Sequence, residues 1–435
     1  MKIPDTLKQL TRERLSPSAL FLLLLCMTEL ISLLLLFISP GTVFAEILFV
    51  NRADSLMDYF HPLLTFSRAP INDFYHQVST FYPPLALLFY LIMYRLIPTD
   101  ALPADDFVAR ESQITLIPYL LLTVLLSIAI VYILAALRKG TNLERKLFSV
   151  SALLAAPMLY QFDRGNIIIL SFFFALLFFH WKDSDSPVKR ELALIFLAIA
   201  AGLKIYPMLF GVLLLLEKRW RDALRCIIYG LLAFWLPALI FGGVNPMDLL
   251  RNLADMSVGT QSEGFGYKAN FSNTFALLFS AFRIPYAPAL PSVLTYVLGL
   301  LTLGSAFLQQ SNWKRVCAFS VLIVALPGFS YVYVLIFLLI PAVLFLNESD
   351  GQPRCTLNYV YAFLLAACFM PLPFTGLIYS SYYPTYPLTV STFAESLAVL
   401  FLSLMLIGEA AVRLWGICST RLAHRHASPS SDPQV

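Results

Sequence analysis

Residues 113–137 read QITLIPYLLLTVLLSIAIVYILAAL, and RKGTNLERK follows at 138–146. The first stretch carries no charged side chain; the second carries Arg138, Lys139, Glu144, Arg145 and Lys146. A helix rising 1.5 Å per residue needs about 20 apolar residues to cross a hydrocarbon core about 30 Å thick. The first stretch is therefore a membrane span. The basic stretch ends it and orients it, because short loops rich in Lys and Arg stay on the cytoplasmic side.

The same alternation runs through the chain. Of its 435 residues, 59% are hydrophobic and 13% are charged, whereas a soluble domain holds about 25% charged residues. Further basic clusters lie at the N-terminus, at Lys182–Arg190, Glu217–Arg225 and Lys314–Arg315, and in the C-terminal RLAHRH. Candidate spans start near Ser18, Gln113, Phe148, Asn166, Glu191, Tyr206, Ala223, Pro291, Val316, Ser330, Cys355 and Thr392. The pattern predicts an all-α polytopic membrane protein of about 12 transmembrane helices. It reads as one integral membrane domain over residues 1–426, with a disordered tail at 427–435. The run from Leu20 to Ile38 is too long for a signal-peptide core and reads as a retained first span.

Three short segments need separate readings. Pro84–Ile97 contains Arg95 and would break the inside–outside alternation, so it reads as a re-entrant or interfacial helix. Glu191–Leu203 and Tyr206–Leu216 are divided by Pro207 and read as a shallow hairpin whose tip carries Lys204 within the membrane. The six cysteines form no CxxC pair and read as small buried side chains. A net charge of +4 is too small to argue for nucleic acid.

With the basic clusters inside, loops 40–83, 242–273 and 373–388 fall outside. So do the turns DRGN (163–166), KIYP (204–207) and PGFSYVY (327–333). The polar residues thus converge on one face. The first loop is the richest: NRADSLMDYFHPLLTFSRAPINDFYHQVSTFYPP, Asn51 to Pro84, with Asp54, Asp58, His61, Arg68, Asp73, His76 and Tyr82.

Asp54 and Asp58 are four apart and share a face if the segment is helical. Neighbouring carboxylates repel, which makes one of them the better proton acceptor. The alternative is a solvated loop with Asp54 as a helix cap. His61, three residues on, either orients Asp58 or tunes it. Asp73 and His76 read as an Asx-turn and a surface histidine. No metal-ligand spacing is present, and no metal is expected. Tyr82-Pro83-Pro84 opens a helix, where the missing proline N–H is not needed.

Arg164 offers a planar fork for phosphate, Gly165 allows close approach, and Asn166 begins the next span. An ion-paired turn built on Asp163 is the alternative. Lys204, between AIAAGL and IYPMLF, either snorkels or holds a lipid phosphate at the membrane boundary. Glu29 and Arg95 either line the site or are structural polar groups. Glu409 and Arg413 read as an ion pair within one helix. Tyr331 and Tyr333 open an outer helix end, as belt aromatics or as part of the pocket. There is no P-loop, dinucleotide glycine fingerprint, HExxH or GxSxG in a suitable context, and no cofactor is expected. Any transferred group would come from a lipid-borne donor.

The ordered set is an Asp-bearing first external loop, YPPL, RGN before IIILSFFFALLFF, and AAGLKIYPMLFGVLLLLEKRWR. It resembles the GT-C superfamily of polytopic glycosyltransferases, and more closely glycosyltransferase family 87. That family includes the polyprenol-phosphate-mannose-dependent mannosyltransferases of phosphatidylinositol mannoside synthesis. The resemblance implies transfer of a hexose, by analogy mannose, from a polyprenyl-phosphate sugar to a lipid or glycan acceptor. It implies a multi-pass protein of the plasma (inner) membrane with an extracytoplasmic site and inversion at the anomeric carbon. Asp58, in LMDYFH, best matches the family's general base, with Asp54 second. Arg164, Asn166, Lys204 and Tyr206 match positions that bind the donor phosphate. His61, Arg68, Tyr82 and Tyr331 would complete the substrate pocket. Two positions depart from the pattern. PGFSYVY has no histidine where some members carry one, and RGN stands where glutamine often precedes the glycine.

The residues fit this chemistry independently. A glycosyl phosphate has a good leaving group, so it needs a cation against the departing phosphate and a base for the incoming hydroxyl. A transporter or flippase is the main competitor; those folds tend to carry internal repeats and midplane sites, and neither is evident here. A polysaccharide polymerase or ligase would want an Arg-rich outer loop, whereas this one is acidic and aromatic.

Overall fold

The computed structural model describes residues 15–38, 55–78, 80–98, 103, 105–242, 248–255, 268–285, 289–328, 330–349, 355–372, 377–378 and 388–427. The protein is an integral membrane protein built almost wholly of helices. Among the described residues, six helices are long and apolar enough to cross a membrane: Pro17–Leu35, Gln113–Leu137, Trp220–Phe241, Ala289–Leu308, Val332–Ser349 and Val390–Ser419. The expected spans near Phe148, Asn166, Glu191, Tyr206, Val316 and Cys355 are shorter helices. One of these is broken where Ala156-Pro157 starts a new helix after Asn142–Leu154. Three others begin or end at one cavity: Ile168–Trp181 starts just after Asn166, Pro187–Leu203 ends at Lys204, and the next helix starts at Tyr206. The cavity lies where these three helices end, and six of the 12 expected spans are matched by a long helix among the described residues.

One end of the bundle collects the basic loops. Tyr359 donates to the Leu15 carbonyl at 2.7 Å, and Ser18 meets Ser349 at 2.8 Å. Arg138 reaches the Asn347 side-chain oxygen at 3.1 Å. Lys182 pairs with Glu217 at 2.7 Å, and Arg219 with Asp183 at 3.1 Å. The hairpin reading holds: the chain runs along Pro187–Leu203, turns at Lys204, and returns to Glu217. Pro207 and its neighbours form a 3-10 turn, Tyr206–Gly211. At Gly202 an added Cβ would stand 2.9 Å from a Leu85 methyl and 3.3 Å from Ala233. The absence of a side chain there lets three helices meet.

Helix Pro84–Arg95 has 12 residues, about 18 Å of length, and does not reach across. Both its ends join elements at the cavity. Tyr82 lines the cavity before it, and Asp106 does so after it. A short helix, Phe271–Ala281, occupies part of the sequence read as loop 242–273. Asn270 caps it, accepting the Asn273 N–H at 2.8 Å. Val332–Leu338 and Leu339–Ser349 form the central helix, with every residue of the first part buried.

Two apolar cores result. The larger surrounds the central helix. The smaller gathers Tyr59, Phe60, Tyr90 and Phe241 around helices Met57–Arg68 and Pro84–Arg95. The six cysteines are all unpaired. The expected Glu409–Arg413 pair is replaced by contacts to neighbouring helices. Lys314 pairs with Glu409, Tyr361 donates to the other Glu409 oxygen at 2.8 Å, and Arg413 donates to the Leu308 carbonyl. Residues 428–435, most of the expected tail, lie outside the described residues.

Candidate active site

Asp58 stands in the first turn of helix Met57–Arg68, where the helix dipole favours a carboxylate. The chain enters this helix through Leu56, whose φ of 63° is left-handed. Asp163 holds that strained corner. Its carbonyl accepts the Leu56 N–H at 2.6 Å, and its side chain accepts the Ser55 hydroxyl at 2.6 Å. The start of the first loop is thereby stapled to the DRGN turn.

The next residues of that turn grip Asp58 itself. Arg164 Nη2 donates to Oδ1 at 2.6 Å, and Asn166 Nδ2 donates to Oδ2 at 2.8 Å. The Arg164 and Asp58 side chains are 13% and 17% exposed. A carboxylate has about four lone-pair sites, so each oxygen keeps one for a further donor. Asn166 is itself fixed, since its Oδ1 accepts the Ile168 N–H at 3.0 Å. Its amide also reaches the Tyr333 hydroxyl at 3.2 Å. Tyr90 donates to the Asp58 backbone carbonyl at 2.9 Å.

Gly165 makes the turn possible. It ends helix Ala156–Arg164 at φ +70°, with its N–H on the Gln161 carbonyl at 3.0 Å. A Cβ here would come 3.0 Å from the Tyr59 Cβ and 3.4 Å from the Leu56 Cα. The turn lies against helix Met57–Arg68, and only glycine fits both the angle and the space.

These residues face a cavity of about 860 Å3. Of the residues singled out in the sequence, Asp58, His61, Tyr82, Arg164, Asn166, Lys204, Tyr206 and Tyr331 all line it. Lys204 sits at the turn of the hairpin, in none of the six long apolar helices, with its Nζ 4.8 Å from the centre of the Tyr82 ring. Burial pulls its ammonium down to about 8, opposed in part by the negative charge of Asp58. Burial, with Asp58 nearby, pushes the Tyr82 phenol up, so it stays neutral. Among the described residues Lys204 has no carboxylate within ion-pair distance.

Other expectations are corrected. His61 does not touch Asp58: its Nδ1 meets Asp106 Oδ2 at 2.8 Å. Arg68 does not line the cavity and pairs with the other Asp106 oxygen at 2.6 Å. Arg164 and Asn166, read as donor-phosphate residues, both donate to Asp58. Glu29 is buried within the first span, and Arg95 is exposed at the end of its helix; neither lines the cavity. Asp54 and the side chains of Asp73 and His76 lie outside the described residues.

Tyr333, read either as a belt aromatic or as part of the pocket, lines the cavity, and so do Thr80, Asp106, Asn252 and Asp255, which the sequence did not single out. Asp106 had a signal, as part of an acidic stretch following a helix too short to cross. Asn252, within residues 242–273, donates to the Thr80 carbonyl at 2.9 Å. Among the described residues, no group of three His, Cys, Asp or Glu side chains is placed to hold a metal ion.

Comparison with known proteins bears on the whole arrangement. The profile of glycosyltransferase family 87 matches residues 80–341, more than half of the chain. No curated protein and no solved structure matches it. The matched stretch carries Tyr82, Arg164, Asn166, Lys204, Tyr206 and Tyr331, while Asp58 lies just ahead of it. A polytopic helical bundle with carboxylate, guanidinium and ammonium groups in one cavity is in keeping with that match, and the chain belongs to glycosyltransferase family 87.

Proposed function

We propose that this glycosyltransferase moves a hexose, mannose by resemblance, from a polyprenyl-phosphate sugar to a hydroxyl of a lipid or glycan acceptor. The reaction takes place on the extracytoplasmic face of the plasma membrane, with inversion. The observation that carries this reading is the Asp58 carboxylate, held by Arg164 and Asn166 on the wall of a cavity that also contains Lys204. The acceptor oxygen attacks the anomeric carbon as the bond to the phosphate oxygen breaks. Asp58 takes the hydroxyl proton, and the polyprenyl phosphate leaves with the electron pair.

Inversion places base and leaving group on opposite faces of the sugar. The charges in the cavity divide accordingly. Arg164 is engaged with Asp58 and serves the base. Lys204 is the cation left for the phosphate, and one ammonium suits a monophosphate better than a diphosphate. Tyr82 and Tyr206 offer stacking surface to the sugar.

The test uses protein in lipid nanodiscs, a radiolabelled polyprenyl-phosphate hexose and a total lipid extract as acceptor. Label should pass to a new lipid with wild type and not with Asp58→Asn. Equal transfer by both proteins would remove Asp58 from the mechanism. Donor binding with no transfer under any sugar would favour a flippase.

A further inference from the structure

The end of the bundle away from Asp58 holds a second recess, of about 650 Å3. Helix Asn312–Ala325 separates the two sites: Lys314, near its start, lines the recess, and the chain beyond its end reaches Tyr331 in the cavity. The recess walls are apolar, formed by Leu357, Met405 and Val412. Gly408 borders open space there, with nothing within 4 Å of where a Cβ would stand. The mouth is polar, with Gln310, Ser311, Lys314 and Arg413.

Two cations, Lys314 and Arg413, and one carboxylate, Glu409, line the recess. Glu409 neutralises Lys314 and also accepts from Tyr361. Glu348, behind Ser311, accepts from the Ser311 hydroxyl and the Trp313 N–H. Arg413 has no carboxylate partner among the described residues. One of its five donors caps helix Ala289–Leu308 through the Leu308 carbonyl, which leaves most of the fork free. Two residues further along, Trp415 is 77% exposed near the end of its span. An exposed tryptophan there marks the depth of the lipid headgroups.

We propose that this recess binds an anionic phospholipid of the surrounding leaflet. The phosphate lies on the planar fork of Arg413 beside Gln310, and an acyl chain runs along the Gly408–Val412 face. A basic pocket between membrane helices suits such a headgroup, and a guanidinium takes two phosphate oxygens at once. This site is separate from the donor site and does not depend on the reaction proposed there.

Native mass spectrometry on the full-length protein in detergent tests it, with phosphatidylglycerol and phosphatidylcholine offered in equal amounts. Wild type should retain phosphatidylglycerol with about tenfold preference, as expected for one charge-assisted contact. Arg413→Gln should lose that preference. Gln310→Glu, at an exposed side chain, should lose it too, and keeps the test decisive should Arg413→Gln unfold with loss of its cap. No preference in wild type, or the same preference in Gln310→Glu, would overturn the proposal. Displacement of the lipid by an equal concentration of inorganic phosphate would also overturn it, by assigning the recess to a soluble anion.

Discussion

Arg164 and Asp58 lie 106 residues apart in sequence and 2.6 Å apart in space, with both side chains largely buried. Arg164→Met leaves Asp58 without its cation and should destabilise the protein by on the order of 3 kcal/mol. The double variant Arg164→Met/Asp58→Asn should be less destabilised than the Arg164 variant alone, because no carboxylate is then stranded. Thermal unfolding of the three proteins in one detergent measures this. Additive losses would show that the pair is not coupled.

Asp58→Asn alone keeps the shape of the side chain and removes its basicity. Turnover should fall by about 10²–10⁴-fold, while donor affinity changes little, since donor binding draws on Lys204. Single-turnover transfer and equilibrium donor binding separate the two effects. A matching loss of donor affinity would move Asp58 from base to binding group.

Lys204 gives the donor site a pH limit. Its pKa is lowered to about 8, so the ammonium proposed to meet the phosphate is lost as pH rises through that value. Between pH 7 and pH 9 the donor Kd should rise about tenfold. Lys204→Arg should hold its affinity at pH 9, because a guanidinium stays charged there. A wild-type Kd that is flat across this interval would place the phosphate elsewhere.

Gly165→Ala forces a left-handed backbone on a residue with a side chain, which costs about 1–2 kcal/mol. It also presses on Tyr59. The variant should melt at lower temperature and turn over more slowly, because the displaced turn carries Arg164 and Asn166. A variant with wild-type melting and wild-type kcat would refute this account of the turn.

Arg68→Ala should leave donor binding unchanged. Arg68 is 44% exposed and does not itself line the cavity, although its partner Asp106 does, and such an exposed pair contributes about 0.2–1 kcal/mol. Melting temperature and donor Kd are the readouts.

Much of the site was legible because the membrane makes polar residues rare. Asp58, Arg164, Asn166 and Lys204 each interrupt or border apolar sequence, and a charge there needs a partner. Which partner each one finds depends on helix phase. Arg68 is ten residues after Asp58, and ten residues of helix turn the side chain about 80° away from it. Thr65, seven residues on, comes back to the same face and lines the cavity. Asp106 could not be placed from sequence, because the course of the chain before it depends on whether Pro84–Arg95 crosses. Tyr333 was masked by its position, since a tyrosine at a helix start serves an interface equally well. Span lengths were overestimated for a related reason. Hydropathy registers apolar residues and is blind to a cavity that ends a helix early.

The bond between Leu56 and Asp163 has a consequence for how such chains can diverge. The register of the base is set only two residues ahead of it, by a partner more than a hundred positions away. Residues added or lost before Ser55 are absorbed upstream of that anchor and leave the carboxylate in place. A single insertion between Leu56 and Asp58 rotates it out of the cavity. Loop length in this part of the protein is thus free to drift with the acceptor, while the spacing across three residues is not.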